Sequence, residues 1–196
     1  MAGYPVVIGS RNAERAEETA LSLAGAAAAP KPRGASNEDA AQAADIVLVT
    51  VPFASQVPTL DTLKPHLAGK LVIDTTVPLQ PPRVSRVQLP AEDSAAVAAQ
   101  KLLGPSARIV SAFHNVAAHK LAHDDAVDCD VLVFGDDVKD REVVIGLARA
   151  IGLRGLHAGP LANSTAAEAL TSVLIGINRA YKVDGAGIRI TGIADG

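Results

Sequence analysis

Short β-branched apolar runs recur along this chain, separated by segments of helical pattern, and that alternation limits the fold more than any other feature. The clearest run is DIVLVTV, Asp45 to Val51, stopped by Pro52, which has no amide to give to a ladder. Similar runs are YPVVIGS from Tyr4, KLVIDTT from Lys70, ARIVSAF from Ala107 and CDVLVFGDD from Cys129. Helical patterns lie between them: AERAEETALSLAGAAA from Ala13, NEDAAQAA from Asn37, a stretch from Ala54 to Leu63, DSAAVAAQKLLG, KDREVVIGLARAIG and TAAEALTSVLIGINRAY. Strand-then-helix order means βαβ units, a parallel sheet and helices on both faces. With 196 residues, 48% of them hydrophobic and only 3% aromatic, the chain suits one domain with a core of Ala, Val, Leu and Ile. The tract AGAAAAP, Ala24 to Pro30, reads as a helix end running into a turn, and Pro78 to Pro90 as an irregular excursion.

Composition narrows the function. A net charge of −3 argues against nucleic-acid binding. The one cysteine, Cys129, allows neither an internal disulfide nor a cysteine metal cluster and reads as a small buried hydrophobe. No run approaches the roughly 20 apolar residues of a membrane span, and no signal-peptide pattern opens the chain. The expected compartment is the cytoplasm.

The stretch VVIGSRNAERAEE, from Val6, carries the first chemistry. A strand ends in Gly9-Ser10-Arg11, and Arg15 comes one helical turn later, so both guanidiniums can face one pocket. In dinucleotide-binding folds an acid at the end of the second strand holds the ribose 2′-hydroxyl of NAD, whereas a basic residue accepts the 2′-phosphate of NADP. Arginine's planar fork suits a phosphate. An exposed surface pair is the bland alternative. The glycine-rich turn of such folds belongs about 20 residues earlier, yet only nine residues precede Ser10. The expectation is therefore an α/β, Rossmann-like parallel sheet, N-terminally truncated, with a small C-terminal helical extension and two strands left without a ladder partner. Residues 1–196 form a single unit, with 162–196 closing the substrate pocket.

The ordered set VVIGSR, TVPF, LVIDTTVPL, SAFHNVAA, VFGDD and AGPLANSTAAEALT resembles the NADPH-dependent reductases of coenzyme F420, a deazaflavin. That resemblance implies direct hydride transfer between NADP(H) and F420, with no catalytic side chain required. It implies that Ser10, Arg11 and Arg15 hold the 2′-phosphate and that Thr50, Val51 and Pro52 run along the dinucleotide. Thr76, Val77 and Pro78 would lie beside the nicotinamide, and His114, Asn115 and Val116 near the site of hydride exchange. Asn163, Ser164, Glu168 and Thr171 would help close the deazaflavin pocket. Ser164 or Thr165 with Glu168 also reads as a capping box of the last helix, and His114 as a loop histidine satisfied by backbone. His119, His123 and Asp124 have the spacing of a metal set but read better as solvated surface. The apolar last helix suits either core packing or a homodimer interface. Three functions stay open: a reductase of F420 or another flavin-like acceptor, another NADP-dependent oxidoreductase, and a non-catalytic dinucleotide-binding remnant or interaction protein. The partners expected are small-molecule cofactors, with no nucleic acid and no membrane.

Overall fold

The computed structural model describes residues 3–24, 30–122 and 127–193. The tract at 25–29, His123 and Asp124 lie outside the described residues. Along the chain run β1 (Val7–Ser10), α1 (Ala13–Ala24), β2 (Arg33–Ser36), α2 (Asn37–Ala43), β3 (Ile46–Val49), α3 (Phe53–Leu67) and β4 (Leu71–Asp74). Next come α4 (Ala95–Leu103), β5 (Arg108–Ser111), β6 (Asp130–Phe134), α5 (Val138–Ala150), β7 (Arg154–Gly159) and α6 (Ser164–Tyr181), with short 3₁₀ turns at Ala118–Ala122 and Leu161–Asn163. Residues 78–90 lie between β4 and α4 without a helix or strand.

The strands form two ladders: β1 pairs with β2, and β3-β4-β5-β6-β7 form a five-stranded sheet. Among the described residues no ladder joins β1 to β3. On one face of β3, Ile46 and Leu48 stay 38% and 53% exposed. The other pairings are parallel, but β5 and β6 meet antiparallel through the single pair Ser111–Phe134. The sheet is thus parallel as expected except at this one junction, where the described residues between the two strands form no helix beyond the 3₁₀ turn at Ala118–Ala122, and a parallel return usually runs through a crossover helix.

The core divides on the two faces of β4, whose four residues are all buried. Val72 packs with Leu60, Leu63, Leu67, Ala99 and Ile109 under α3 and α4. Leu71 and Ile73 pack with Val110, Val131, Val133 and Val144 under α5. Local sequence sets many ends. Ser36 and Ser94 accept from Asp39 N (3.0 Å) and Val97 N (2.9 Å) and so cap α2 and α4. Gly104, at φ 76°, ends α4. Helix α3 outruns the expected 54–63 by passing through Pro58 and Pro65. Each proline removes an amide, but Gln56, Leu60, Leu63 and Leu67 are buried along one side. Burying each leucine returns about 1.5–3 kcal/mol.

The β1-β2 limb joins the sheet through α2, which packs on α3. Lys70, just before β4, donates to three carbonyls at the end of α2: Ala41 (2.5 Å), Gln42 (2.9 Å) and Ala44 (2.6 Å).

Candidate functional site

Two clefts carry the polar chemistry. The first, of about 390 Å³, is lined by Arg11, Asn37, Ser55, Thr59 and Thr62, with Ala54, Pro58 and Leu63. It lies just past the carboxyl ends of β1 and β2, against the start of α2 and the first three turns of α3. At β1, Ser10 Oγ accepts from Asn12 N (3.2 Å), and Asn12 Oδ1 accepts from Arg15 N (3.2 Å), so Asn12 starts α1 and Arg11 is left outside the helix. Gly9 brings Asn37 close: a Cβ there would fall 3.0 Å from Asn37 Oδ1 and 3.2 Å from Ala40 Cβ. Arg15 is exposed on α1 and is not among the cleft's walls, because α1 turns Ala16 and Ala20 inward instead. Among the described residues no carboxylate pairs with Arg11 or Arg15.

The next two strand ends continue this edge. Pro52 sits at the start of α3, and its carbonyl accepts from Ser55 N (2.8 Å). Thr50 is exposed and Val51 half-buried. Thr75 joins β4 to β3 by donating Oγ1 to Val49 O (2.9 Å). Thr76 and Pro78 are buried and Val77 half-buried. Neither Thr50–Pro52 nor Thr76–Pro78 lines either cleft; both segments stand at strand ends between them in sheet order.

Behind that edge lies a buried polar knot. Asp74, last residue of β4, accepts from Thr76 N (2.9 Å) and from Gln56 Nε2 of α3. Gln56 Nε2 also donates to Ala95 O (3.0 Å). Glu168 of α6 accepts from Ala95 N (2.6 Å) and Ala96 N (3.2 Å), the first amides of α4. Ser164 Oγ and Ser94 Oγ bond at 2.9 Å. The capping box expected on α6 is thereby corrected. Helix α6 starts at Ser164 with no side-chain cap, and Glu168 caps α4 from 72–73 residues away. Burial pushes the Glu168 carboxyl up to about 7, helped by the nearby Asp74 charge and opposed by the two amides. Burial likewise raises Asp74, opposed by its Thr76 and Gln56 bonds. Sequence reading missed Gln56, Asp74 and Ser94; a carboxylate closing the otherwise apolar LVID run was the available signal.

The second cleft, of about 240 Å³, lies between the loop after β5, helix α6 and the tail. His114, Asn115 and Val116 form its inner wall, Thr171, Leu174 and Asn178 face them from α6, and Asp184 to Ala186 close it. His114 and Asn115 are only 5% and 3% exposed. His114 Nε2 bonds Ser111 Oγ (2.7 Å), while its Nδ1 has no partner, so the satisfaction is half complete and comes from a side chain, not backbone. Burial pulls His114 down to about 4 and keeps it neutral at pH 7. Asn115 Oδ1 is also unpartnered. Thr171 donates Oγ1 to His114 O (2.9 Å), tying α6 to the loop. Asn163 is exposed just before α6 and lines neither cleft; it lies over Gly159, where a Cβ would fall 3.0 Å from Asn163 Nδ2. His119 pairs with Asp184 (3.1 Å).

Known proteins resemble this arrangement. Residues 1–78 match the family model described as NADP oxidoreductase coenzyme F420-dependent. An F420-dependent NADP reductase of Methanocaldococcus jannaschii is 40% identical over 200 residues, spanning 96% of this chain and 88% of that protein. The enzyme of the same name from Methanothermobacter thermautotrophicus is 37% identical over 204 residues, spanning 100% of this chain and 88% of its own length. A crystal structure of a putative F420-dependent NADP reductase from an Arthrobacter species superposes with a TM-score of 0.75 at 23% identity, over 96% of this chain and 89% of that one. The chain belongs to the F420-dependent NADP reductase family.

Proposed function

We propose that this protein moves a hydride between NADP(H) and coenzyme F420, with the first cleft taking the adenosine 2′-phosphate and the second the deazaflavin. The observation that carries this reading is the lining of the first cleft. It holds one cation, Arg11, and four hydrogen-bonding side chains, Asn37, Ser55, Thr59 and Thr62, and no carboxylate. An unpaired guanidinium beside hydroxyl and amide groups suits a phosphate, and no negative wall opposes that charge. Ser10 shapes the turn that presents Arg11, and Arg15 adds only a distant field.

The strand-end segments Thr50–Pro52 and Thr76–Pro78 carry the dinucleotide from the first cleft toward the second, as ligands of open α/β sheets lie outside carboxyl strand ends. The second cleft is smaller than the roughly 300–1,000 Å³ of a whole ligand site, which suits a ring system whose remainder stays outside. His114 Nδ1 and Asn115 Oδ1, buried without partners, are the atoms offered to it. When bound, the two cofactors supply the chemistry, a hydride passing between nicotinamide C4 and deazaflavin C5. The protein positions the rings and keeps water out. Ala117 leaves a flat ring room to approach backbone, Val116 adds an apolar wall, and α6 with the tail, residues 162–196, closes the pocket. Asn163 sits at the start of that closure.

The same reading places the protein in the cytoplasm, where the buried thiol of Cys129 stays reduced. Among the described residues no helix is long and apolar enough to cross a membrane. It also includes a homodimer through α6, whose Val173, Ile177 and Tyr181 form an exposed stripe at helical spacing.

Arg11→Ala tests the assignment. NADPH binding should weaken by about 1.5–3 kcal/mol, the worth of a charged hydrogen bond, with NADH affinity nearly unchanged. Equal losses for both nucleotides would refute it.

A further inference from the structure

The described tail after α6, residues 182–193, contains no helix or strand, yet its residues 184–186 form one wall of the second cleft. Little apolar burial fixes it, since Ile190 and Ile193 are 37% and 50% exposed. What fixes it converges on one side chain. Asp130, the first residue of β6, is fully buried. Its carboxylate accepts from Ile190 N (2.6 Å) and lies 3.3 Å from Arg189 Nη1, while its own amide donates to Ile188 O (2.8 Å). Arg154 of β7 grips both carboxylate oxygens at 2.7 Å and continues to Ile190 O (2.8 Å). These bonds hold the carboxyl below the usual carboxylate range, so it stays charged.

Asp130 also reaches the opposite wall. Its carbonyl accepts from Asn115 Nδ2 (2.8 Å), and Asn115 lines the cleft. Between the two, the tail approaches β6 at a distance only glycine permits. A Cβ on Gly187 would fall 2.8 Å from Cys129 Sγ and 2.9 Å from Cys129 Cβ. Gly185, at φ +76°, would meet Ala117 Cβ at 2.8 Å. Ala186 N donates to Asn178 Oδ1 of α6 (2.8 Å), which finishes the strap.

We infer that Asp130 is a positioning residue for the acceptor: it clamps the C-terminal strap, through Arg154, Arg189 and Ile190, against the loop that carries Asn115, and so fixes the width of the second cleft. The inference rests on that cleft being the F420 site. A loosened strap should cost F420 affinity without touching the nucleotide, because the first cleft shares no residue with this cluster.

The test uses the full chain with NADPH present. Asp130→Asn should weaken F420 binding at least tenfold by direct titration and raise its KM alike, with kcat at saturating F420 and the NADPH Kd within twofold of wild type. Hydrogen exchange should show the Ile190 amide losing protection. Should that variant not fold, Gly187→Ala and the half-exposed Arg189→Gln apply the same loosening more gently, with several-fold losses, and Arg189→Lys should recover part of the second. Unchanged F420 binding in the folded variants would overturn the inference. Leu174→Trp separates the two claims by filling the cleft. If it abolishes F420 binding while the strap variants bind normally, only the strap role fails. If F420 binds Leu174→Trp normally, the cleft assignment fails and the strap role with it.

Discussion

The β1-β2 limb and the five-stranded sheet solve different problems with different residues. The limb buries alanines, Ala16, Ala20, Ala40 and Ala41, and leaves its charged group, Arg11, on the surface of an open cleft. The sheet buries Val, Ile and Leu on both faces and hides its polar groups, His114, Asn115, Asp74 and Glu168, among them. One cleft presents an exposed charge on a thinly packed support; the other presents desolvated groups on a larger apolar core. Small residues give the limb less burial energy per contact, so it should be the less stable half and the more dependent on close backbone approach.

The largest effect expected from this contrast is on the limb. Gly34 lets α1 lie against β2 so closely that a Cβ there would fall 2.1 Å from Glu17 N and 2.3 Å from Glu17 Cα. Backbone cannot swing aside as a side chain can. Gly34→Ala should destabilise the limb by about 3 kcal/mol or more and abolish NADPH binding. Hydrogen exchange should show β3 to β7 still protected. Loss of protection throughout would mean that the two regions fold as one.

The second effect belongs to the sheet. Glu168 has a folded value of about 7 against an ordinary 4.5. A raised value means the folded protein holds a proton the unfolded chain releases. The stability it lends is complete below 4.5 and is lost as pH rises through about 7. His114 has the opposite sign: its value of about 4 lends stability above 6.5 that is lost as pH falls. Subtracting Glu168→Gln from wild type cancels the histidine. That difference in unfolding free energy should fall by about 2–3 kcal/mol between pH 4.5 and roughly pH 7.5. A flat difference would show that Glu168 is charged inside the fold.

Lys70 tests the junction between the two regions. Lys70→Met removes the donor to three carbonyls ending α2 and should cost about 1.5–2 kcal/mol in chemical denaturation. It should weaken NADPH binding more than F420 binding. The smallest effect is Arg15→Ala, at most about 0.5 kcal/mol on NADPH affinity, because Arg15 is exposed and off the cleft wall. An effect equal to that of Arg11 would restore the paired-arginine site.

The same contrast decides what the sequence could disclose. Arg11 was legible because an exposed charge after a strand and a glycine depends on neighbours within a few residues. So were the runs that form β3 and β4, though only β4 is buried throughout. The departure from a parallel sheet at β6 was not, since it turns on the return path of residues 112–129. Glu168 looked like a local cap, yet its partners Ala95 and Ala96 are distant in sequence. The course of α3 through two prolines depends on what its leucines meet across the core. Asp130 gave no local signal at all, because its partners Asn115, Arg154 and Ile190 come together only in the fold.

The most direct measurement is the ratio of dissociation constants of the unmodified protein for NADPH and NADH, titrated at one ionic strength. Arg11 in a cleft free of carboxylates predicts NADPH binding tighter by about 10–100-fold. Equal affinities would contradict the assignment of that cleft to a 2′-phosphate, and with it the division of the site into an exposed charged half and a buried neutral one.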